Sequence, residues 1–285
     1  MRFIIQLVTV VAASFLAGQA VRLADGNVWL SLSVGVLASV FLTAAYYGVV
    51  RVTEKRTVTE LARQGAASGL IRGTLLGVVI FAAVIGVIAV SGGYRILGLG
   101  DDPGNAIGLI GFMAAAATTE ELIFRGVLFR HLEKVTGTGL ALLVSALVFG
   151  GVHLLNQDAT LWGALCVAIA GGGIMTSAYV ATRSLWLPIG LHFGWNYAQS
   201  AIFGSEVSGN GVQQAVLNSE STGNALVSGG QFGPEASIFT VLAGVLVTAA
   251  FLVLARRRGN LMPRRRGAEP TGLTRAAEPA SKIDR

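Results

Sequence analysis

The chain has 285 residues, of which 53% are hydrophobic and 13% charged, and its mean hydropathy is +0.67. Soluble domains carry about 45–50% apolar and about 25% charged residues, so the composition excludes an ordinary soluble globular protein and points to one integral membrane domain. The net charge of +6 does not argue for nucleic acid, because the lysines and arginines sit in short connections and in the tail, where they set topology and attract the anionic lipid bilayer.

A spanning helix needs about 20 apolar residues. Eight stretches qualify: 3–21, 28–50, 73–93, 107–129, 139–155, 161–182, 185–203 and 237–255. The predicted fold is therefore an all-α polytopic membrane protein, a bundle of about eight transmembrane helices over residues 1–255, followed by a disordered basic tail over 256–285. The first stretch has the small-residue ending "LAGQA" of a secretory signal, but its apolar run is long for one, and a retained span is expected. Between the second and third spans, "TVTELAR" (Thr57 to Arg63) suits a short interfacial helix. Gly171, Gly172 and Gly173 in the sixth span read as helix-packing glycines. The sole cysteine, Cys166, lies in that span, so no intramolecular disulfide is possible. The polar connection 204–235, rich in Gly, Ser and Asn, reads as a flexible extracytoplasmic segment rather than a substrate-gating lid.

Orientation follows from the basic residues, which collect on the cytoplasmic side. Arg51, Lys55, Arg56, Arg63 and Arg72 follow span two; Arg130 and Lys134 follow span four; Arg183 separates spans six and seven; and Arg256, Arg257 and Arg258 begin the tail. The opposite connections carry only Arg22 and Arg95, and 204–235 has no lysine or arginine. A multi-pass cell-membrane protein with both termini cytoplasmic is expected.

Against this background, "TTEELIFRGVLFR" places Glu120, Glu121 and Arg125 within the fourth span. Ionisable groups inside a membrane are costly and by default functional. Glu121 and Arg125 are four apart and can pair on one helix face, while Glu120 points about 100° further round. Spans five and seven add His153 in "FGGVH" and His192 in "HFGWN", with Asn196 four residues beyond His192. A carboxylate able to take a proton from water, together with imidazoles and an amide able to orient that water and hold an oxyanion, are the parts of a hydrolase.

These segments resemble the CAAX protease and bacteriocin-processing family of intramembrane proteases, which includes the type II CAAX prenyl endopeptidases. The family pattern is met by "EELIFR" (Glu120, Glu121, Arg125), by Phe149 four before His153, and by His192 four before Asn196, in order and on hydrophobic segments within a core of about 107–203. The resemblance implies an endopeptidase acting on a membrane-associated or lipidated protein or peptide. It makes Glu120 the general base and His153 the residue that positions water, while His192 and Asn196 stabilise the oxyanion. Glu121 and Arg125 become an orienting pair, and Phe149 a wall of the pocket. Many members are described as metalloproteases, and Glu120, His153 and His192 would be the ligands of a Zn2+ ion; a metal-free glutamate mechanism is the other proposal and the one favoured here.

Rival chemistries fit less well. Every aspartate (Asp25, Asp101, Asp102, Asp158, Asp284) lies in a loop or the tail, against an aspartyl protease, and no GxSG supports a serine protease. A non-catalytic scaffold or bacteriocin-immunity protein of the same family is the alternative function, and no broken-helix repeat supports a transporter. One geometric tension accompanies the reading. His153 falls near the far end of span five, about 20 Å from its start, whereas Glu120 and His192 lie toward the cytoplasmic half, the side from which substrate is expected to arrive. Either span five begins late or the helices tilt.

Overall fold

A computed structural model describes residues 1–101, 103–210 and 215–264. In chain order the helices are α1 (Arg2–Leu23), α2 (Val28–Glu54), α3 (Ala66–Val90), α4 (Asn105–Thr136), α5 (Thr138–Leu155) and α6 (Leu161–Thr182), then α7 (Trp186–Tyr197), the one-turn α8 (Ala225–Ser228) and α9 (Ile238–Arg257). Seven of them, all but α7 and α8, are long and apolar enough to cross a membrane. The predicted seventh span is α7 with its π-helical continuation Ala198–Ile202, which is shorter than the rest and mostly buried against neighbouring helices. The all-α polytopic fold is as expected, with seven such spans among the described residues rather than eight.

Helix starts are set by side chains that accept from free backbone N–H groups: Asn27 from Leu30, Thr160 from Gly163 and Ser237 from Phe239. Between 17% of the apolar window of α2 and α9 and 83% of that of α6 is buried, so α6 is the centre of the bundle and the others wrap it. Val8, Phe15, Leu37, Val79 and Leu246 stay exposed on the outside, as lipid contact requires.

Where helices meet most closely, glycine removes the side chain. A Cβ on Gly73 would lie 2.3 Å from the Leu187 carbonyl oxygen, and one on Gly190 2.3 Å from that of Leu70; Gly77 and Gly194 are as tightly placed one turn on. This mutual small-xxx-small contact brings the backbones of α3 and α7 together and fixes the register of the helix that carries His192 and Asn196. Gly35 and Gly111 play the same part between α2 and α4. Of the predicted packing glycines, Gly172 abuts Ala146 and Gly173 abuts Thr248.

The end that bears most of the basic residues is tied by a polar network. Glu54 accepts from Gln6, Arg56 and Arg130, and Glu60 from Arg56 and Tyr46. "TVTELAR" contributes a single 3-10 turn, Thr59–Leu61, that buries Glu60 and Leu61. It is part of this network rather than a helix lying on the interface, because Glu60 finds its partners inside.

The opposite end holds two elements that hydropathy did not announce. Strand β1 (Tyr94–Leu99) pairs antiparallel with β2 (Leu217–Ser221). The connection 204–235, expected to be flexible, carries β2, α8 and two 3-10 turns among its described residues and buries Phe232. Its glycines and polar side chains are used to make turns: Gly209 takes a positive φ of 76°, and its N–H donates to the Phe232 carbonyl. The helix α9 runs to Arg257, two residues into the expected tail, and the reading of 265–285 as disordered lies outside the described residues.

Candidate functional site

Glu120 and Glu121 occupy the junction where the α-helical first half of α4 passes into a π-helical stretch, Leu122–Phe129. Single π-turns widen a helix locally and redirect side chains, and they recur at functional sites. Here the two neighbours are sent to different surroundings. The Glu121 side chain is fully buried, whereas that of Glu120 keeps 31% of its surface, facing a cavity.

Glu121 is the hub of a buried cluster. Its Oε1 accepts from Arg125 at 2.9 Å and lies 2.8 Å from His192 Nδ1. Arg125 is wholly buried, and its remaining donors go to the Gly171 carbonyl at 3.0 Å, the Gly172 carbonyl at 3.2 Å and Thr176 Oγ1 at 3.3 Å. Those two carbonyls belong to a π-helical turn of α6, Ala168–Gly172, so the glycines read as packing residues also present acceptors. The guanidinium lies 4.6 Å from the centre of the Phe149 ring. A planar fork that meets a carboxylate, two carbonyls and an aromatic face is an arginine-specific arrangement.

Phe149 in turn positions both histidines. Its ring is 4.9 Å from that of His153 and 6.1 Å from that of His192, and its carbonyl is 2.7 Å from His153 Nδ1. A carbonyl only accepts, so Nδ1 of His153 carries the proton and Nε2 is the acceptor. Likewise Glu121 holds the Nδ1 side of His192, and its Nε2 comes within 3.8 Å of Glu120 Oε2.

Glu120, Phe149, His153, His192 and Asn196 all line one cavity of about 400 Å³ between α4, α5, α6 and α7. Every sequence-predicted site residue is therefore either on this cavity or, for Glu121 and Arg125, directly behind it. The tension over His153 is resolved by its place on the wall: α5 begins at Thr138, so a late start is not the reason, whereas α4 runs on to Thr136 and leaves Glu120 at mid-helix rather than near the cytoplasmic end.

Five further lining residues were not singled out in the sequence. Ser200 stands one turn beyond Asn196 on α7, and Val207, Ser208, Asn210 and Glu235 come from the connection 204–235. The Glu235 carboxyl accepts from Ser208 Oγ, and burial pushes it above the usual carboxylate range, while the Ser208 hydrogen bond and the nearby His153 and His192 draw it back. Nothing local marks Glu235, because only the fold brings it to the histidines. This polar wall comes from the end away from most of the basic residues.

A zinc ion would need Glu120, His153 and His192 together. Among the described residues no three His, Cys, Asp or Glu groups are arranged to hold one. As placed, the three do not fit a shared ion.

Comparison with known proteins bears on the same segment. Residues 102–198 match the family described as type II CAAX prenyl endopeptidase Rce1-like, a stretch that includes every motif residue from Glu120 to Asn196. No curated protein and no solved structure matches the chain.

Proposed function

We infer, from the premise that this chain belongs to the CAAX protease and bacteriocin-processing family, that it is an intramembrane endopeptidase whose base is Glu120. The observation that carries this reading is the convergence of Glu120, His153, His192 and Asn196, from three separate helices, on one cavity. Peptide-bond hydrolysis in a membrane needs water, a base, an oxyanion donor and walls that exclude lipid, and the cavity supplies a place for each.

In the proposed reaction, Glu120 takes a proton from a water that the acceptor Nε2 of His153 helps to orient. The oxygen attacks the peptide carbonyl. Asn196 donates its amide to the oxyanion, and His192 does so from Nε2 as an imidazolium whose Nδ1–H is held by Glu121. Protonated Glu120 then returns the proton to the departing nitrogen as the C–N bond breaks. Arg125 holds Glu121 in place, and so acts on the reaction through His192. The substrate is a membrane-associated or lipidated protein or peptide, and the chain sits in the cell membrane with both termini cytoplasmic.

The test is hydrolysis of a panel of quenched peptides, with and without a prenyl or acyl group, by detergent-purified protein beside Glu120→Gln and His192→Ala, each with and without chelator and added zinc. Turnover lost in both variants and indifferent to chelator supports the reading. Chelator-sensitive turnover transfers the water-activating role to a metal. Full biological function in Glu120→Gln shows a scaffold or immunity protein instead.

A further inference from the structure

The cavity contains one ionisable group that the reaction above does not use. Glu235 sits in the 3-10 turn Pro234–Ala236 and lines the same wall system as Glu120, His153 and His192. Its position is built, not incidental. Ser208, which donates its hydroxyl to Glu235, has a positive φ of 52°. That left-handed conformation is unfavourable for a residue with a Cβ, so the surrounding contacts must hold it. They include Asn156 Nδ2, which donates to the Ser208 carbonyl at 2.7 Å, and Asp158, whose N–H donates to the Gly209 carbonyl at 3.1 Å. Asn156 and Asp158 follow directly on the turn that carries His153, so the Ser208–Glu235 pair is fastened to the histidine end of α5.

Two observations say what this wall lacks. Among the described residues no lysine or arginine lines the cavity, although two carboxyl groups do. Arg125, the nearest buried cation to the histidines, has its donors engaged by Glu121, Gly171, Gly172 and Thr176. Separately, Ser200 is 0% exposed, lines the cavity, and its hydroxyl has no hydrogen-bond partner among the described residues. An orphaned buried hydroxyl and a buried carboxyl on one cavity, the carboxyl faced by imidazoles and by no ammonium or guanidinium among the described residues, describe a site that a hydrogen-bonding cation would complete.

We propose that Glu235, held by Ser208 and assisted by Ser200, forms a subsite for a basic side chain of the substrate, an ammonium or guanidinium close to the scissile bond. The proposal rests on the endopeptidase reading and adds the substrate class. Glu235 supplies the counter-charge, and the Ser200 hydroxyl accepts a second N–H of the bound group. An acidic residue at the same substrate position meets two carboxyl groups and is rejected.

Peptides identical except for Lys, norleucine or Glu at each position within two residues of the cleaved bond test this. With wild type, the Lys peptide at one position should exceed the norleucine peptide in kcat/KM by about tenfold or more, the Glu peptide should fall below both, and Glu235→Gln should reduce the Lys advantage toward one through KM. Glu235→Asp, which keeps the charge, should retain part of it, which separates loss of the subsite from loss of folding. No Lys preference, or a Glu235→Gln defect in kcat that is the same for all three peptides, overturns the proposal; the latter would make Glu235 a proton donor. Binding of labelled peptides to Glu120→Gln protein keeps the two readings apart: if wild type cleaves nothing while Lys peptides bind in a Glu235-dependent way, the subsite stands and the hydrolase does not.

Discussion

Replacing Arg125 puts the buried cluster to its most demanding test. Arg125 and Glu121 are both wholly buried and joined at 2.9 Å. Arg125→Met leaves an uncompensated carboxylate in the bundle and frees the acceptors of Gly171, Gly172 and Thr176. Removing one partner of a buried pair costs about 3–5 kcal/mol. Glu121→Gln should cost a comparable amount, because it leaves the guanidinium without its charge partner while its amide oxygen can still face His192. The double variant Glu121→Gln/Arg125→Met removes both charges together and should cost less than the sum of the singles, by about 2–3 kcal/mol. Arg125→Lys keeps the charge but not the fork, and by losing one or two charge-assisted bonds of about 1.5–3 kcal/mol each it should rescue only part of the loss. Reversible unfolding in detergent micelles for all four variants gives the cycle. Strict additivity would refute the idea that the two charges stabilise each other, and a loss below about 1 kcal/mol for Arg125→Met would place the pair in the surface class of ion pairs.

Glu120→Gln should lower kcat by about 10²–10⁴ with little change in the unfolding midpoint; a large stability loss would make the residue structural. Gly77→Ala forces a methyl into the Leu191 carbonyl across the α3–α7 contact and should cost about 1–3 kcal/mol together with activity, whereas Gly86→Ala, which meets nothing within 4 Å, should cost neither. Acid should loosen the polar network around Glu60. Burial alone would raise that carboxyl, but the hydrogen bond from Arg56 and the charge of Arg130 hold it below the usual carboxylate range. Its stabilisation is therefore complete above the unfolded value of about pH 4.3 and is lost as pH falls through the lower folded value. Unfolding midpoints of wild type and Glu60→Gln should converge on acidification, and a constant gap between them would dismiss this linkage.

The spans were legible because lipid imposes a single strong rule on composition, and the motif residues because charges and imidazoles stand out against it. The spacing of Glu121 and Arg125 gave their pairing for the same reason: four residues on a helix is a local relation, and the 2.9 Å contact follows from it. What hydropathy missed is non-local. Strand β2 lies more than a hundred residues from its partner β1, and the polar residues around it carry no apolar signal. Glu235 looked like the end of a loop because its neighbours in sequence are glycine, proline and alanine, whereas its neighbours in space are histidines. The seventh span was read in nearly its full extent, Trp186 to Ile202 with the π-helical turn, but its apolar run reflects burial among other helices, which produces such a run just as lipid does.

The glycine contact between α3 and α7 has a mechanical implication. Backbone seated against backbone leaves no side chains to flex, so the two helices cannot slide by a fraction of an ångström; the next seating is a whole turn away, about 5.4 Å. A displacement of that size would carry His192 clear of both Glu120 and Glu121, breaking contacts of 3.8 and 2.8 Å at once. The contact is thus a detent that holds His192 level with both carboxylates.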